Sequence, residues 1–144
     1  MFLFDFCNCV AYNTEMKIRN TKASSAVIRI LEKEKKPLDV EDFIGRLNRR
    51  KINVDRTTVF RIVNKLTEAR ILTRLEFDEG KARYELTSLP HHHHAICTKC
   101  RKVEDIKECN IREVKKNAEN NLSFKIEFHR IELFGKCHEC RSIY

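Results

Sequence analysis

Asp55-Arg-Thr-Thr-Val-Phe-Arg-Ile-Val-Asn-Lys-Leu-Thr-Glu-Ala69 is the stretch that decides the fold class of this chain. Asp55 is a natural helix N-cap, because its short carboxylate accepts from the unpaired amides of the first turn. Val59, Ile62, Val63 and Leu66 then recur at i, i+3, i+4 and i+7, the spacing of a helix face that packs on a core. The opposite face carries Thr57, Phe60, Arg61, Asn64 and Lys65. A phenylalanine on a basic face is unusual. It either packs on a thymine methyl, with Arg61 at a guanine edge or phosphate, or tucks under whatever element follows the helix.

Upstream, residues 22–34 read as a helix with Ala26, Val27, Ile30 and Leu31 on one side, stopped by Lys35-Lys36-Pro37. Asp39 is a second N-cap, with Glu41 and Asp42 favourable in the first turn, and Phe43, Ile44 and Leu47 form the stripe of a helix ending near 49–51. Downstream, Ile71–Phe77 and Ala82–Thr87 are strand-like, with the turn Asp78-Glu-Gly-Lys81 between them. Three helices and a hairpin make a winged helix-turn-helix, in which early residues of the recognition helix enter the major groove.

Pro90 marks a boundary. Beyond it, 95–97 and 102–106 are expected as short strands, and 110–121 as a helix with Ile111, Val114 and Ala118 aligned. Residues 123–134 are expected as two strands or one bulged strand, because the alternation changes phase near His129. The expected class is α+β, with a tail at 1–16, a winged-helix domain at 17–88 and a small α/β domain at 89–144. A domain this small builds a modest core, so a zinc staple and dimerisation are expected. Met16 is a plausible alternative start. The apolar beginning of the chain carries Asp5 and makes a poor signal peptide.

The 144 residues carry a net charge of +8. Arg46, Arg49, Arg50, Lys51, Arg56, Arg61, Lys65, Arg70 and Arg74 face only Asp55 and Glu68 in the same stretch. A bias this strong is an electrostatic footprint for nucleic acid, although a solvated charged face has the same composition. No run approaches the roughly 18 apolar residues of a membrane helix.

Two Cys-x-x-Cys pairs, Cys97/Cys100 and Cys137/Cys140, bracket the last third. Two such turns supply the four thiolates of a closed, structural zinc site. With seven cysteines in all, an odd number, and no secretion signal, the chain reads as the product of a reducing cytoplasm. Cys7, Cys9 and Cys109 are left over and read as ordinary free thiols. His91–His94 abuts the first pair; an affinity tag has the same composition, but this run is internal. In an extended run, His92 and His94 face one way and His91 and His93 the other, so the run can feed two metal sites. Glu85, Asp105 and His129 are the nearby candidate co-ligands.

The order of helix-turn-helix, Thr58-Val-Phe-Arg61, Arg83-Tyr-Glu-Leu86, His91-His-His-His-Ala-Ile-Cys-Thr-Lys-Cys100, Lys102-Val103 and His129-Arg-Ile-Glu-Leu-Phe-Gly-Lys-Cys-His-Glu-Cys140 resembles the ferric uptake regulator (Fur) family from about residue 17 to 141. The resemblance implies a homodimeric, metal-responsive transcription factor. It implies structural Zn²⁺ at Cys97, Cys100, Cys137 and Cys140. It also implies a regulatory hinge site at Glu85, His92, His94 and Asp105, and a further site at His91, His93 and His129. Arg56, Thr57, Thr58, Phe60, Arg61, Asn64 and Lys65 are the residues expected to meet operator DNA, with Phe60 at the family's usual tyrosine. Pro37 stands where the family's hinge site takes another histidine, and Arg112 where an acidic ligand is common.

The function expected is a repressor that binds double-stranded DNA when its regulatory ion, Fe²⁺ or Mn²⁺ and otherwise Zn²⁺, is held by nitrogen and oxygen donors. Arg61 is more like iron-sensing members. Asp105 with His94-Ala-Ile-Cys97 is similar to peroxide-sensing ones, and zinc sensing ranks third. The readings of a different class are a zinc hydrolase and a structural zinc adaptor. No HExxH is present to support the hydrolase, and no small-molecule substrate is expected.

Overall fold

The computed structural model describes residues 21–142. The expected tail, the alternative start Met16, Cys7 and Cys9 lie outside them. Two compact units divide between Leu89 and Pro90.

The first unit is a winged helix built from α1 (Lys22–Glu34), α2 (Val40–Arg49), α3 (Arg56–Glu68), β1 (Leu72–Glu76) and β2 (Ala82–Leu86). Each helix starts on the residue type that satisfies its orphan amides. Thr21 and Ser24 cap α1 reciprocally, and Asp39 and Asp42 do the same for α2. Asp55 accepts from the Thr58 amide at 2.8 Å. Val27, Ile30 and Leu31 of α1 meet Phe43 and Leu47 of α2 and Val59, Val63 and Leu66 of α3 in one buried cluster. Leu72 and Tyr84 close this cluster from the hairpin side. The two strands pair antiparallel from Leu72↔Leu86 to Glu76↔Ala82. Asp78 and Gly80 take left-handed conformations in the turn (φ 53° and 70°), which suits residue types that tolerate positive φ. Leu38 and Tyr84 exchange backbone hydrogen bonds of 3.0 and 2.8 Å, anchoring the segment before α2 to the wing.

Asp39 is the keystone of that anchor. It is buried, accepts from the Asp42 amide at 2.8 Å, and is ion-paired with Lys81 of the hairpin turn. Burial by itself would raise the carboxyl pKa. Lys81 and the Asp42 amide outweigh it and hold the group below its ordinary value. Asp39→Ala is expected to destabilise this unit by about 0.5–2 kcal/mol in urea unfolding. Because the folded-state pKa is depressed, Asp39 stabilises fully above its unfolded pKa and loses that effect as pH falls through the folded value. The gap between wild type and variant should therefore narrow below about pH 4.

The second unit holds β3 (His93–Cys97), β4 (Val103–Ile106), α4 (Arg112–Leu122), β5 (Glu132–Gly135) and α5 (His138–Arg141). The sheet order is β4-β3-β5. β3 pairs antiparallel with β4 and parallel with β5, and α4 lies in the crossover between β4 and β5. β3 is longer than its sequence suggests and takes in His93 and His94.

Two expectations fail here. The stripe Ile111, Val114 and Ala118 is not a buried face: α4 buries none of its residues, and Ile111 is its N-cap. Residues 123–131 belong to no strand, and only β5 forms from the β-rich run. A strand needs a neighbour for its amides and carbonyls. The single β3 edge open to this segment is taken up by β5. Phe124 and Phe128, whose alternation suggested strands, are 65% and 79% exposed. Among the described residues no helix is long and apolar enough to cross a membrane.

Candidate metal centres and nucleic-acid interface

The four paired cysteines converge. Cys97 ends β3, Cys100 follows in the turn to β4, Cys137 caps α5, and Cys140 lies within it. Their sulfurs all lie within 4.8 Å of one another, and Cys100 Sγ and Cys137 Sγ are 3.6 Å apart. A zinc tetrahedron with Zn–S near 2.3 Å has edges of about 3.8 Å, so the donor set fits that ion in number, chemistry and size. The two turns are tied together by the Thr98 amide, which donates to the Gly135 carbonyl at 2.7 Å. The amides of Cys100 and Cys137 point at Cys97 Sγ (3.5 and 3.4 Å) and bring its pKa down to about 5. Cys137 instead donates to Glu139 at 3.1 Å, which pushes its pKa up to about 12. Burial raises that of Cys140. Cys97 is thus a ready thiolate, while a bound dication would displace the protons of Cys137 and Cys140.

The histidine run presents alternate side chains to two sides of β3. On one side, His91 and His93 stack edge-on with ring centroids 4.6 Å apart, and His129 lies 4.7 and 5.2 Å from them. Burial lowers the pKa of His93, helped by the neighbouring imidazoles; burial and His91 do the same for His129. Both are therefore held in the neutral, ligating form. Cys109 is a correction: it is not a stray thiol, for its Sγ lies 3.1 Å from His129 Nε2 within this group. Nothing in its sequence spacing marks it, since it belongs to no Cys-x-x-Cys pair.

On the other side, the rings of His92 and His94 are 4.8 Å apart and nearly perpendicular. His92 Nδ1 lies 2.7 Å from the Pro90 carbonyl, so Nδ1 donates and the lone pair is on Nε2. Asp105 of β4, exposed, is in register with His94. Glu85 is in the winged unit, buried on β2 in register with Thr73. The antiparallel Leu38–Tyr84 bridge places Pro37 alongside Glu85 in the same unit.

In α3, Val59, Val63 and Leu66 are buried, while Arg56, Thr57, Phe60, Arg61, Asn64 and Lys65 are exposed. Phe60 is 46% exposed and lines a cleft with Arg74, Lys81 and Tyr84 of the wing. The Thr58 hydroxyl is engaged by Asp55 at 2.7 Å. The basic footprint is smaller than its composition. Arg46 is clamped by Glu34 and Asp42, with contacts of 2.7 and 2.8 Å, and so joins α1 to α2. Arg74 is paired with Glu76 at 2.6 Å and Arg56 with Glu41 at 3.3 Å.

The sequence profile of the ferric uptake regulator family matches residues 15–134. The chain is 32% identical over 124 residues to the ferric uptake regulation protein of Bacillus subtilis (strain 168), covering 83% of each. Among solved structures it is similar to the ferric uptake regulator from Francisella tularensis with iron (TM-score 0.79, 25% identity, 90% of this chain and 98% of that one). It is also similar to the Helicobacter pylori ferric uptake regulator, described as having three functional metal-binding sites (TM-score 0.78, 25% identity, 87% and 83%). The chain belongs to the ferric uptake regulator family and is a transcriptional regulator, not an enzyme.

Proposed function

We propose that this chain is an iron-type, metal-dependent repressor that binds operator DNA as a homodimer. The observation that carries the reading is the outer face of α3, where exposed Phe60, Arg61, Asn64 and Lys65 back onto an apolar stripe in which Val59, Val63 and Leu66 are buried and Ile62 half-buried. Such a helix is held rigidly from behind and offers base-reading and phosphate-binding groups in front. The dimer is supported by the second unit's exposed Val114, Leu122, Phe124, Phe128, Leu133 and Phe134. An apolar surface of this kind calls for a covering partner, and the unladdered segment 123–131 is available to pair across a two-fold axis.

The proposed regulatory ion is held by Glu85, His92, His94 and Asp105. Two imidazoles and two carboxylates suit Fe²⁺ or Mn²⁺ better than a soft ion. A ligand from each unit gives the ion a higher affinity for the DNA-competent arrangement, so it shifts the population toward that state. The cysteine site and the Phe60–Arg61–Lys65 face are, in this reading, the fixed parts, and the hinge ligands are the switch.

Anaerobic titration of operator binding with Fe²⁺, Mn²⁺ and Zn²⁺ tests the proposal. Fe²⁺ should promote binding at the lowest free concentration compatible with its cellular role. Stronger promotion by Zn²⁺ would make the chain a zinc sensor, and no salt-dependent duplex binding under any metal would sink the repressor reading. In the same assay Arg61→Ala should cost about 1–3 kcal/mol on operator and less on random duplex, while Lys65→Ala should weaken both alike and reduce the salt slope by about 1. Equal losses for Arg61→Ala on both duplexes would make Arg61 a phosphate contact.

A further inference from the structure

The histidine group on β3 contains a sulfur that no short motif accounts for. Cys109 follows β4, and its Sγ lies 3.1 Å from His129 Nε2. His91 Nε2 and His93 Nε2 are 3.2 Å apart, and one ligand atom from each of the four residues lies within 4.8 Å of all the others. We propose that Cys109 is the fourth ligand of this centre and makes it a closed three-imidazole, one-thiolate zinc site, an assignment that rests on reading His91, His93 and His129 as metal ligands.

The geometry fits a small tetrahedral ion. With Zn–N near 2.0–2.1 Å and Zn–S near 2.3 Å, the edges of the tetrahedron are about 3.4 Å for N···N and 3.6 Å for N···S. The two short separations are within half an ångström of these edges. The four residues come from four places in the unit: the segment before β3, β3 itself, the loop after β4 and the segment before β5. Convergence from separate elements is what a built site requires, and a chance meeting of exposed side chains would not bury His93 at its centre.

The chemistry selects the ion. Among the described residues the group holds no carboxylate. Three neutral nitrogens and one thiolate favour zinc over Mn²⁺ or Fe²⁺, whose hard character suits oxygen. The four ligands fill the tetrahedron and leave no position for a substrate. On binding, the Cys109 S–H bond breaks, a sulfur–zinc bond forms, and the proton passes to solvent. The chain would then carry two zinc centres of different donor sets in one small unit, beside a regulatory site that takes nitrogen and oxygen only.

Cobalt reports the sulfur directly. Full-length protein carrying Cys7→Ser and Cys9→Ser, with its Cys97/Cys100/Cys137/Cys140 site zinc-filled, is titrated with Co²⁺ under anaerobic conditions. At saturation, with cobalt enough for this centre and for the proposed Glu85/His92/His94/Asp105 site, a sulfur-to-cobalt charge-transfer band should appear, and adding Cys109→Ser should abolish that band. Zinc affinity at this centre, measured by chelator competition, should fall by more than about 100-fold in Cys109→Ser. Even groups that merely orient a ligand are worth about 10–100-fold. Cys109→Asp should restore metal binding while moving preference from Zn²⁺ toward Mn²⁺. Saturating cobalt bound without a charge-transfer band, or a band unchanged by Cys109→Ser, would overturn the assignment of Cys109 and leave a histidine-only site. Absence of any cobalt bound beyond the cysteine site would overturn both. The assay uses no DNA, so a failure of operator binding would not disturb it.

Discussion

Cys137→Ser is expected to lose the proposed structural zinc, the order of the second unit and the proposed dimer in a single step. Cys137 caps α5, receives the turn after β5, and lies 3.6 Å from Cys100 across the closed cluster. Removing one thiolate from a four-sulfur site leaves the ion an open position and cuts the covalent tie between the end of the chain and the β3–β4 turn. Structural zinc in small domains contributes apparent binding free energies of about 10–16 kcal/mol at neutral pH, which is folding free energy when the site does not preexist. Among the described residues the second unit has little else to hold it: α4 buries no residue, and the buried side chains of the sheet are few, Ile96 and His93 among them. The winged unit has its own core from Val27 to Tyr84 and should stay folded. The expected result is therefore a zinc-free monomer with winged-unit helicity retained, read by metal analysis, light scattering and far-ultraviolet circular dichroism. A zinc-free Cys137→Ser protein that remains dimeric with unchanged thermal unfolding would refute the structural role.

Glu85→Ala should have the second largest effect, and it should be selective. In the proposed switch Glu85 is the ligand contributed by the winged unit, since Pro37 occupies the position of a further histidine. Without Glu85 the ion still finds His92, His94 and Asp105 but no longer discriminates between arrangements of the two units. An effector with equal affinity for two states shifts neither. Metal should then lose its proposed influence on operator affinity, roughly 5–150-fold for allosteric coupling, while the zinc proposed at the cysteines stays in place. Pro37→His is the complementary experiment. Leu38 and Tyr84 pair backbone to backbone, so residue 37 sits beside Glu85 and an imidazole there adds a donor to the same site. Regulatory metal should bind more tightly in Pro37→His, at a cost of about 0.4–1 kcal/mol in stability from the lost proline constraint. An unaltered metal response in Glu85→Ala would move the switch to the His91/His93/His129 centre.

What was legible in the amino-acid sequence was local. Asp39 and Asp55 announce α2 and α3 because a cap and its target amides are three residues apart. The stripe Val59, Val63 and Leu66 is a matter of helical period. The two Cys-x-x-Cys pairs are legible because each pair is formed within one turn, and the alternation of His91–His94 follows from strand geometry alone. Pairings made across the fold decided the rest. Arg46 looks like one more charge in a basic stretch until α1 brings Glu34 to it. The run 123–134 has the alternation of strands, but the open edge of β3 accommodates only Glu132–Gly135, so the remainder has no ladder partner among the described residues. Cys109 and His129 are twenty residues apart and meet only because β4 and β5 flank β3, bringing the loop after one and the segment before the other to the same place. A local pattern carries its own geometry, whereas a contact across that distance exists only once the sheet has closed the loop between them.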